Sequence, residues 1–336
     1  MAKIGVYCIC KNEKDFIVRL LDSIQEADFI VVCDTGSTDG TFEMLQGLQQ
    51  DLKFNGMIVK KICVNPWRFD DARNTALYLM PPDIDVCISI DADEMMDSGW
   101  YHSLSQEIDH DLNNTGKPAD RYHHRFKTIW DWDKESINIS EHWHERIHSR
   151  HGYKWKLPVH EVLVKCDRSP EVVKFLSNIL MIQKPDTSKN RGSYLPLLEI
   201  SVKEDPKIWK TFSFLAGEYI NVGRYDDAKK SIEHAISIKD SDKAYLSYQL
   251  SSMYQKVQDF DFAIIEMNNA CKFAPNVREY MVYLAAIYFS MERISDAIIT
   301  LDRASKITER TFGYEYNPIA WGESFIGLQK FYRSKL

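Results

Sequence analysis

The residues best suited to chemistry are Asp91-Ala92-Asp93-Glu94, directly after the apolar run Val86-Cys87-Ile88-Ser89-Ile90. Two carboxylates one residue apart at a strand end can face one divalent cation. Mg²⁺ and Mn²⁺ prefer oxygen ligands and need few protein carboxylates when a substrate diphosphate supplies the rest. Such a cation would neutralise a leaving diphosphate. By itself the pair also fits a solvated turn. A third carboxylate, Asp34, follows Phe29-Ile30-Val31-Val32-Cys33 and opens the turn cluster Thr35-Gly36-Ser37-Thr38-Asp39-Gly40. Further along stand Trp130-Asp131-Trp132-Asp133 and Trp155-Lys156-Leu157-Pro158-Val159-His160-Glu161. In the latter, His160 could complete a metal shell and Glu161 could deprotonate an acceptor or orient the histidine. Asp131 and Asp133 are rival bases.

Elements of two periodicities must position these groups. Ile4 to Ile9, Phe29 to Cys33, Ile58 to Val64 and Val86 to Ile90 have strand character. Between them Phe16, Leu20, Leu21 and Ile24, then Phe42 to Leu48, then Ala72 to Met80 recur at helical spacing, the last ending at Pro81-Pro82. Strands alternating with helices predict βαβ units and a mainly parallel sheet. Ligands of such sheets bind beyond the carboxyl ends of the strands. Asp34 and Asp91 each follow a strand, so they are expected to face one crevice.

Residues 117–165 hold seven of the ten histidines and ten Lys and Arg against seven Asp and Glu. This run is read as later strands and loops on the acceptor side. His142, His144 and His148 raise zinc, but with no cysteine nearby acceptor-contacting or surface histidines fit better.

From about residue 206 the pattern is helical and repeats. Ala216, Tyr219, Ala228 and Ala235 match Ser251, Tyr254, Ala263 and Ala270, then Ala285, Tyr288, Ala297 and Ala304, at periods of 35 and 34. Small residues recur where paired helices approach closely. This is the tetratricopeptide signature. The expected organisation is an α/β domain over 1–185, a linker or connecting helix over 186–205, and an all-α tetratricopeptide solenoid with a cap over 206–336.

The N-terminal part resembles the family-two glycosyltransferases of the GT-A fold. The resemblance rests on Cys10-Lys11-Asn12-Glu13, Val31 to Thr41, Ala72-Arg73-Asn74 and Asp91-Ala92-Asp93-Glu94, in that order and spacing, and covers roughly residues 4–165. The whole architecture is similar to bacterial enzymes that glycosylate cysteine in bacteriocin peptides, and to phage relatives. The resemblance implies that Cys10, Asn12 and Glu13 line the nucleotide and that Asp34 accepts a hydrogen bond from the base. It implies that Arg73 approaches the ribose or diphosphate, that Asp91 holds the ribose or the metal, and that Asp93 ligates the metal. Many relatives carry Pro or a hydroxyl residue near position 10, where this chain has Cys10.

The expected function is therefore inverting, metal-dependent transfer of a sugar from a nucleoside diphosphate sugar, UDP-linked by preference, with Mn²⁺ or Mg²⁺. The expected acceptor is a peptide, protein or glycan. One alternative is a phage-type enzyme glycosylating a modified cytosine in DNA, using the His-, Arg- and Trp-rich stretch. Another is a tetratricopeptide adaptor without catalysis. A net charge of −7 provides no overall field for a polyanion. Seven scattered cysteines without a CxxC pair fit reduced core thiols. No apolar run approaches the roughly 18 residues that span a bilayer. A cytoplasmic protein of a bacterium or phage-infected host, with a possible homodimer through the repeats, is the expectation.

Overall fold

The computed structural model describes residues 2–54, 56–129, 139–167, 169–185, 194–311, 313–314 and 317–336. The chain divides into two units, Met1–Arg191 and Gly192–Leu336.

The first unit begins β1 (Ile4–Cys10), α1 (Ile17–Ser23), β2 (Phe29–Asp34), α2 (Thr41–Leu48), β3 (Met57–Lys61), α3 (Phe69–Tyr78) and β4 (Val86–Ser89). It continues β5 (Glu94–Met96), α4 (Trp100–Thr115), β6 (Arg121–Ile129), β7 (Ile139–Ser149), β8 (Tyr153–Lys156), β9 (Val162–Lys165) and β10 (Val173–Gln183). Eight strands form one sheet in the order β3-β2-β1-β4-β7-β6-β10-β5, and β8 pairs with β9. The β3-β2-β1-β4 half is parallel, as the alternation predicts. Its strands are near-continuous apolar runs because helices cover both faces. β7 then joins β4 antiparallel, setting Ile147 opposite Ile88 and His148 opposite Cys87.

Ile4, Val6, Cys8, Val32 and Ile88 pack on α1 and α4. Tyr7, Val31, Cys33 and Cys87 pack on α3 and the β8–β9 pair. Gly5 makes room for Met80, two residues past α3: a Cβ there would collide with the Met80 Sδ. Asp70 and Asp71 stand in the first turn of α3, where carboxylates complement the helix dipole.

The second unit is all helical: α5 (Leu195–Glu204), α6 (Trp209–Asn221), α7 (Tyr225–Ser237), α8 (Lys243–Lys256), α9 (Phe260–Phe273), α10 (Arg278–Ser290), α11 (Ile294–Ala304) and α12 (Gly322–Arg333). α6 packs on α7, α8 on α9 and α10 on α11. The Ala and Ser residues of the repeat pattern are all fully buried. Ser251 can stand for alanine because its hydroxyl donates to the Ala263 carbonyl at 2.7 Å. α5 joins this unit, with the Tyr219 hydroxyl donating to Glu199 Oε1 at 3.0 Å.

The turns between paired helices repeat too. Arg224, Asp259 and Arg293 donate their amides to the carbonyls of Tyr219, Tyr254 and Tyr288. The preceding residues, Gly223, Gln258 and Glu292, have φ of 78°, 60° and 59°. Only the first is the glycine that this left-handed conformation favours. Gln258→Gly and Glu292→Gly are each expected to stabilise the repeats by about 0.5–1 kcal/mol. A higher unfolding midpoint on heating checks this. A lower midpoint in both variants would show that those side chains stabilise the turn.

Candidate active site

Asp34 ends β2 and Asp91 lies two residues past β4, so both stand at the carboxyl ends of the strands that flank β1, on the same edge of the sheet. Asp34 is fully buried. Its Oδ1 accepts the amides of Gly36 and Ser37 at 2.9 and 3.0 Å, which turns the chain sharply out of β2. Gly36 takes the φ of 109° that this turn requires. The loops after β1 and β2 are knitted together. Asn12 donates its amide to Ser37 Oγ at 2.8 Å, and its own Oδ1 accepts the Thr38 amide at 2.8 Å. Glu13 donates its amide to Thr41 Oγ1 at 2.9 Å. Cys10 is buried, its Sγ 3.9 Å from Asp34 Oδ2. Burial and the Asp34 charge push its thiol far up, so it is a neutral, weak donor.

Around Asp91 the structure builds a charged network. Arg73, on α3, reaches it with Nη2 at 2.6 Å, while Nη1 donates to Ser89 Oγ at 3.1 Å. Nε of Arg73 pairs with Glu161. Arg146, on β7, donates Nη1 to the other Asp91 oxygen at 2.7 Å. Burial alone would raise the Asp91 carboxyl, but Arg146 and Arg73 hold it well below the usual carboxylate range. Glu94 accepts the Asp91 amide at 2.8 Å and lies 3.6 Å from Arg146. Burial pushes it up against the pull of Arg146, and the Asp91 charge adds to the rise, to about 8. Glu94 is thus mostly protonated at neutral pH.

A carboxyl raised in the folded state stabilises fully below its unfolded value and loses that stabilisation as pH climbs through the folded one. Between pH 4.5 and about 8, metal-free wild-type protein is therefore expected to lose stability relative to Glu94→Gln, which mimics the protonated form. Above that window the difference should level off. Parallel denaturation curves for the two proteins across it would show that Glu94 is ionised throughout.

Asp93 occupies the turn between β4 and β5. Its Oδ2 accepts Gln183 Nε2 at 3.2 Å. Its carbonyl accepts the Lys184 amide at 2.9 Å and Arg19 Nη2 at 3.0 Å. The segment carrying His160 and Glu161 is docked on α3. The Pro158 carbonyl accepts the Phe69 amide at 3.0 Å. Asn74 makes a two-way amide pair with Trp155, at 2.8 and 2.9 Å. The Trp155 ring lies 5.1 Å from the Arg73 guanidinium. Glu161 therefore joins Arg73, whereas His160 is exposed with φ 49°. Asp131 and Asp133 lie outside the described residues.

The histidines split into two groups. His148 is satisfied: Nδ1 donates to the Ser149 carbonyl at 2.8 Å and Nε2 accepts from the Tyr7 hydroxyl at 3.0 Å. That hydroxyl accepts the Trp155 indole N–H at 2.8 Å. Burial holds His148 neutral, down to about 3. His124 and His144 stand opposite each other on β6 and β7, ring centroids 5.7 Å apart. Burial, then Arg146, keeps both neutral. Neither ring nitrogen of His124 has a hydrogen-bond partner among the described residues. Among the described residues no three His, Cys, Asp or Glu side chains are arranged to hold a metal ion.

Arg146 and Gln183 belong to none of the sequence motifs that point to the site. Arg146 lies in the His- and Arg-rich stretch, but only the β4–β7 pairing brings it to Asp91.

The family model "Glycosyl transferase family 2" matches residues 6–164, and a tetratricopeptide repeat model matches residues 211–242. Solved structures similar to part of the chain include the "Crystal structure of MamA", at 19% identity and a TM-score of 0.32, covering 42% of this chain and 81% of that one. "MamA MSR-1 C2" is 22% identical with a TM-score of 0.29, over 34% of this chain and 64% of that one. No curated protein matches the chain. Among the described residues no helix is long and apolar enough to cross a membrane.

Proposed function

Because the chain carries a family 2 glycosyltransferase domain over residues 6–164, followed by a tetratricopeptide repeat, we propose that it transfers a sugar with inversion from a nucleoside diphosphate sugar to a macromolecular acceptor, a peptide, protein or glycan. The observation that carries this reading is the shared edge of Asp34 and Asp91. Asp34 keeps Oδ1 on backbone amides, and its other oxygen serves the base of the nucleotide, uracil by preference. The knitted loop of Cys10, Asn12 and Glu13 borders the same place, and the neutral Cys10 thiol adds no charge there.

A divalent metal fits Asp93 better than Asp91. Arginines hold both Asp91 oxygens, and Asp93 Oδ2 accepts the Gln183 amide. His160 is exposed, and in this arrangement Asp93 with the donor diphosphate would suffice for Mn²⁺ or Mg²⁺. The metal would supply positive charge for the leaving diphosphate. Asp91 holds Arg73 and Arg146 beside that position, so two cations border the diphosphate side of the site. Glu161 as base would have to give up its ion pair with buried Arg73, so we assign it to fixing that arginine. Asp131 is the proposed base that takes the acceptor proton as the sugar carbon is displaced in one step.

The test is calorimetry of the full chain against a panel of nucleoside diphosphate sugars with and without Mn²⁺, followed by nucleoside diphosphate release. One donor should bind selectively with metal, and Asp34→Asn should weaken it about tenfold or more, the cost of a charge-assisted hydrogen bond. If no donor binds, or Asp34→Asn binds as tightly as wild type, this reading fails.

A further inference from the structure

The end of β10 grips Asp93 through both backbone and side chain. The Asp93 carbonyl accepts the Lys184 amide at 2.9 Å, which continues the antiparallel ladder that sets Gln183 opposite Glu94. Asp93 Oδ2 accepts Gln183 Nε2 at 3.2 Å. The Gln183 amide is itself held at its other end: Thr128 Oγ1 donates to Gln183 Oε1 at 3.3 Å. Thr128 is buried at the end of β6. It is the direct partner of Gln183 in the parallel β6–β10 pairing, so the two side chains leave the same face of the sheet.

Two residues earlier on each strand the partners are Phe126 and Met181, which belong to the core. An apolar pair at 128 and 183 would simply extend that core. The chain instead places a hydroxyl and an amide there in series, and the series reaches Asp93. Its direction follows from the groups themselves. A side-chain amide has one accepting end and one donating end. The hydroxyl at Oε1 leaves the NH2 group for the carboxylate. A reversed amide would set Oε1 against a carboxylate oxygen, with no proton between them.

We propose that Gln183, oriented by Thr128, is the residue that positions the Asp93 carboxylate for a divalent cation. Carboxylates that ligate metals are themselves hydrogen-bonded, and loss of such a partner typically costs about 10–100-fold in metal affinity. Gln183 does not touch the cation in this arrangement. It acts through Asp93, and Thr128 acts through Gln183. The inference rests on the assignment of the metal to Asp93 under the proposed function.

The experiment titrates Mn²⁺ into the full chain with UDP and, separately, GDP present, and measures free Mn²⁺ by electron paramagnetic resonance. This reads metal binding without turnover. Wild type should bind Mn²⁺ with one of the two nucleotides, and Asp93→Asn should lose that binding. Gln183→Leu keeps the bulk but neither end of the amide, and should bind Mn²⁺ about tenfold or more weakly. Thr128→Val removes only the hydroxyl and suits a strand, so it should weaken binding as well. Thr128→Ser, which restores the hydroxyl, should restore the affinity. In donor turnover Gln183→Leu should raise the Mn²⁺ needed for half-maximal release about tenfold, with kcat at saturating Mn²⁺ near wild type. Wild-type Mn²⁺ affinity in Gln183→Leu, with Asp93→Asn deficient, would overturn this inference and leave the metal assignment standing. Equal losses in Thr128→Ser and Thr128→Val would trace the effect to packing and overturn the series. Wild-type binding by Asp93→Asn, or no Mn²⁺ binding by wild type with either nucleotide, would overturn the metal assignment and this inference with it.

Discussion

Arg73→Met is expected to destabilise the first unit by about 3–5 kcal/mol, the cost of removing one partner from a buried charge network. Arg73 is 4% exposed and binds Asp91, Glu161 and Ser89 with three of its nitrogens. Methionine replaces its aliphatic stem but leaves two carboxylates in a low-dielectric site with less compensation. Arg146 still holds one Asp91 oxygen, while Glu161 loses its guanidinium. Arg73→Lys should fall between the two, since one ammonium cannot reproduce the fork. The check is urea denaturation followed by tryptophan fluorescence, because Trp155 lies against the guanidinium and belongs to the same unit. A loss below about 1 kcal/mol, the scale of exposed ion pairs, would show that this network does not hold the unit together.

Asp93→Asn is expected to lower metal-dependent release of nucleoside diphosphate by about 10²–10³-fold while the unfolding midpoint stays near that of wild type. Asparagine keeps an oxygen for Gln183 and the backbone contacts of the turn, but loses the charge a divalent cation needs. Asp91→Asn should behave differently. Its carboxylate meets two buried arginines, so the substitution should lower stability as well as turnover. The pair of variants separates a metal-holding carboxylate from an arginine-holding one. If Asp93→Asn retains full release at saturating donor and Mn²⁺, Asp93 does not hold the metal. If instead Asp91→Asn keeps wild-type stability, the arginines do not depend on it.

The parts of this protein legible in its sequence are those governed by neighbours along the chain. Alternating strand and helix periods give away the parallel half of the sheet, and the apolar runs end at Asp34, the last residue of β2, and just before Asp91, past β4. The spacing of Ala216, Ala228 and Ala235 with their successors revealed the helix pairs, because close helix packing demands a small residue at each recurrence. Asp93 was visible for the same reason, one residue past Ala92 at a strand end.

Tertiary structure alone decided what each charged group touches. Arg146 is 55 residues from Asp91, Glu161 is 88 from Arg73, and Gln183 is 90 from Asp93. No local period encodes such pairings. They follow from β7 entering antiparallel beside β4, from β8 docking on α3 through Asn74 and Trp155, and from β10 pairing with β5. In an antiparallel pair a shift of one residue sends every side chain to the opposite face, so Arg146 meets Asp91 only in the register actually formed. That register, rather than the Asp-Ala-Asp spacing, brings Arg146 to Asp91 beside Arg73.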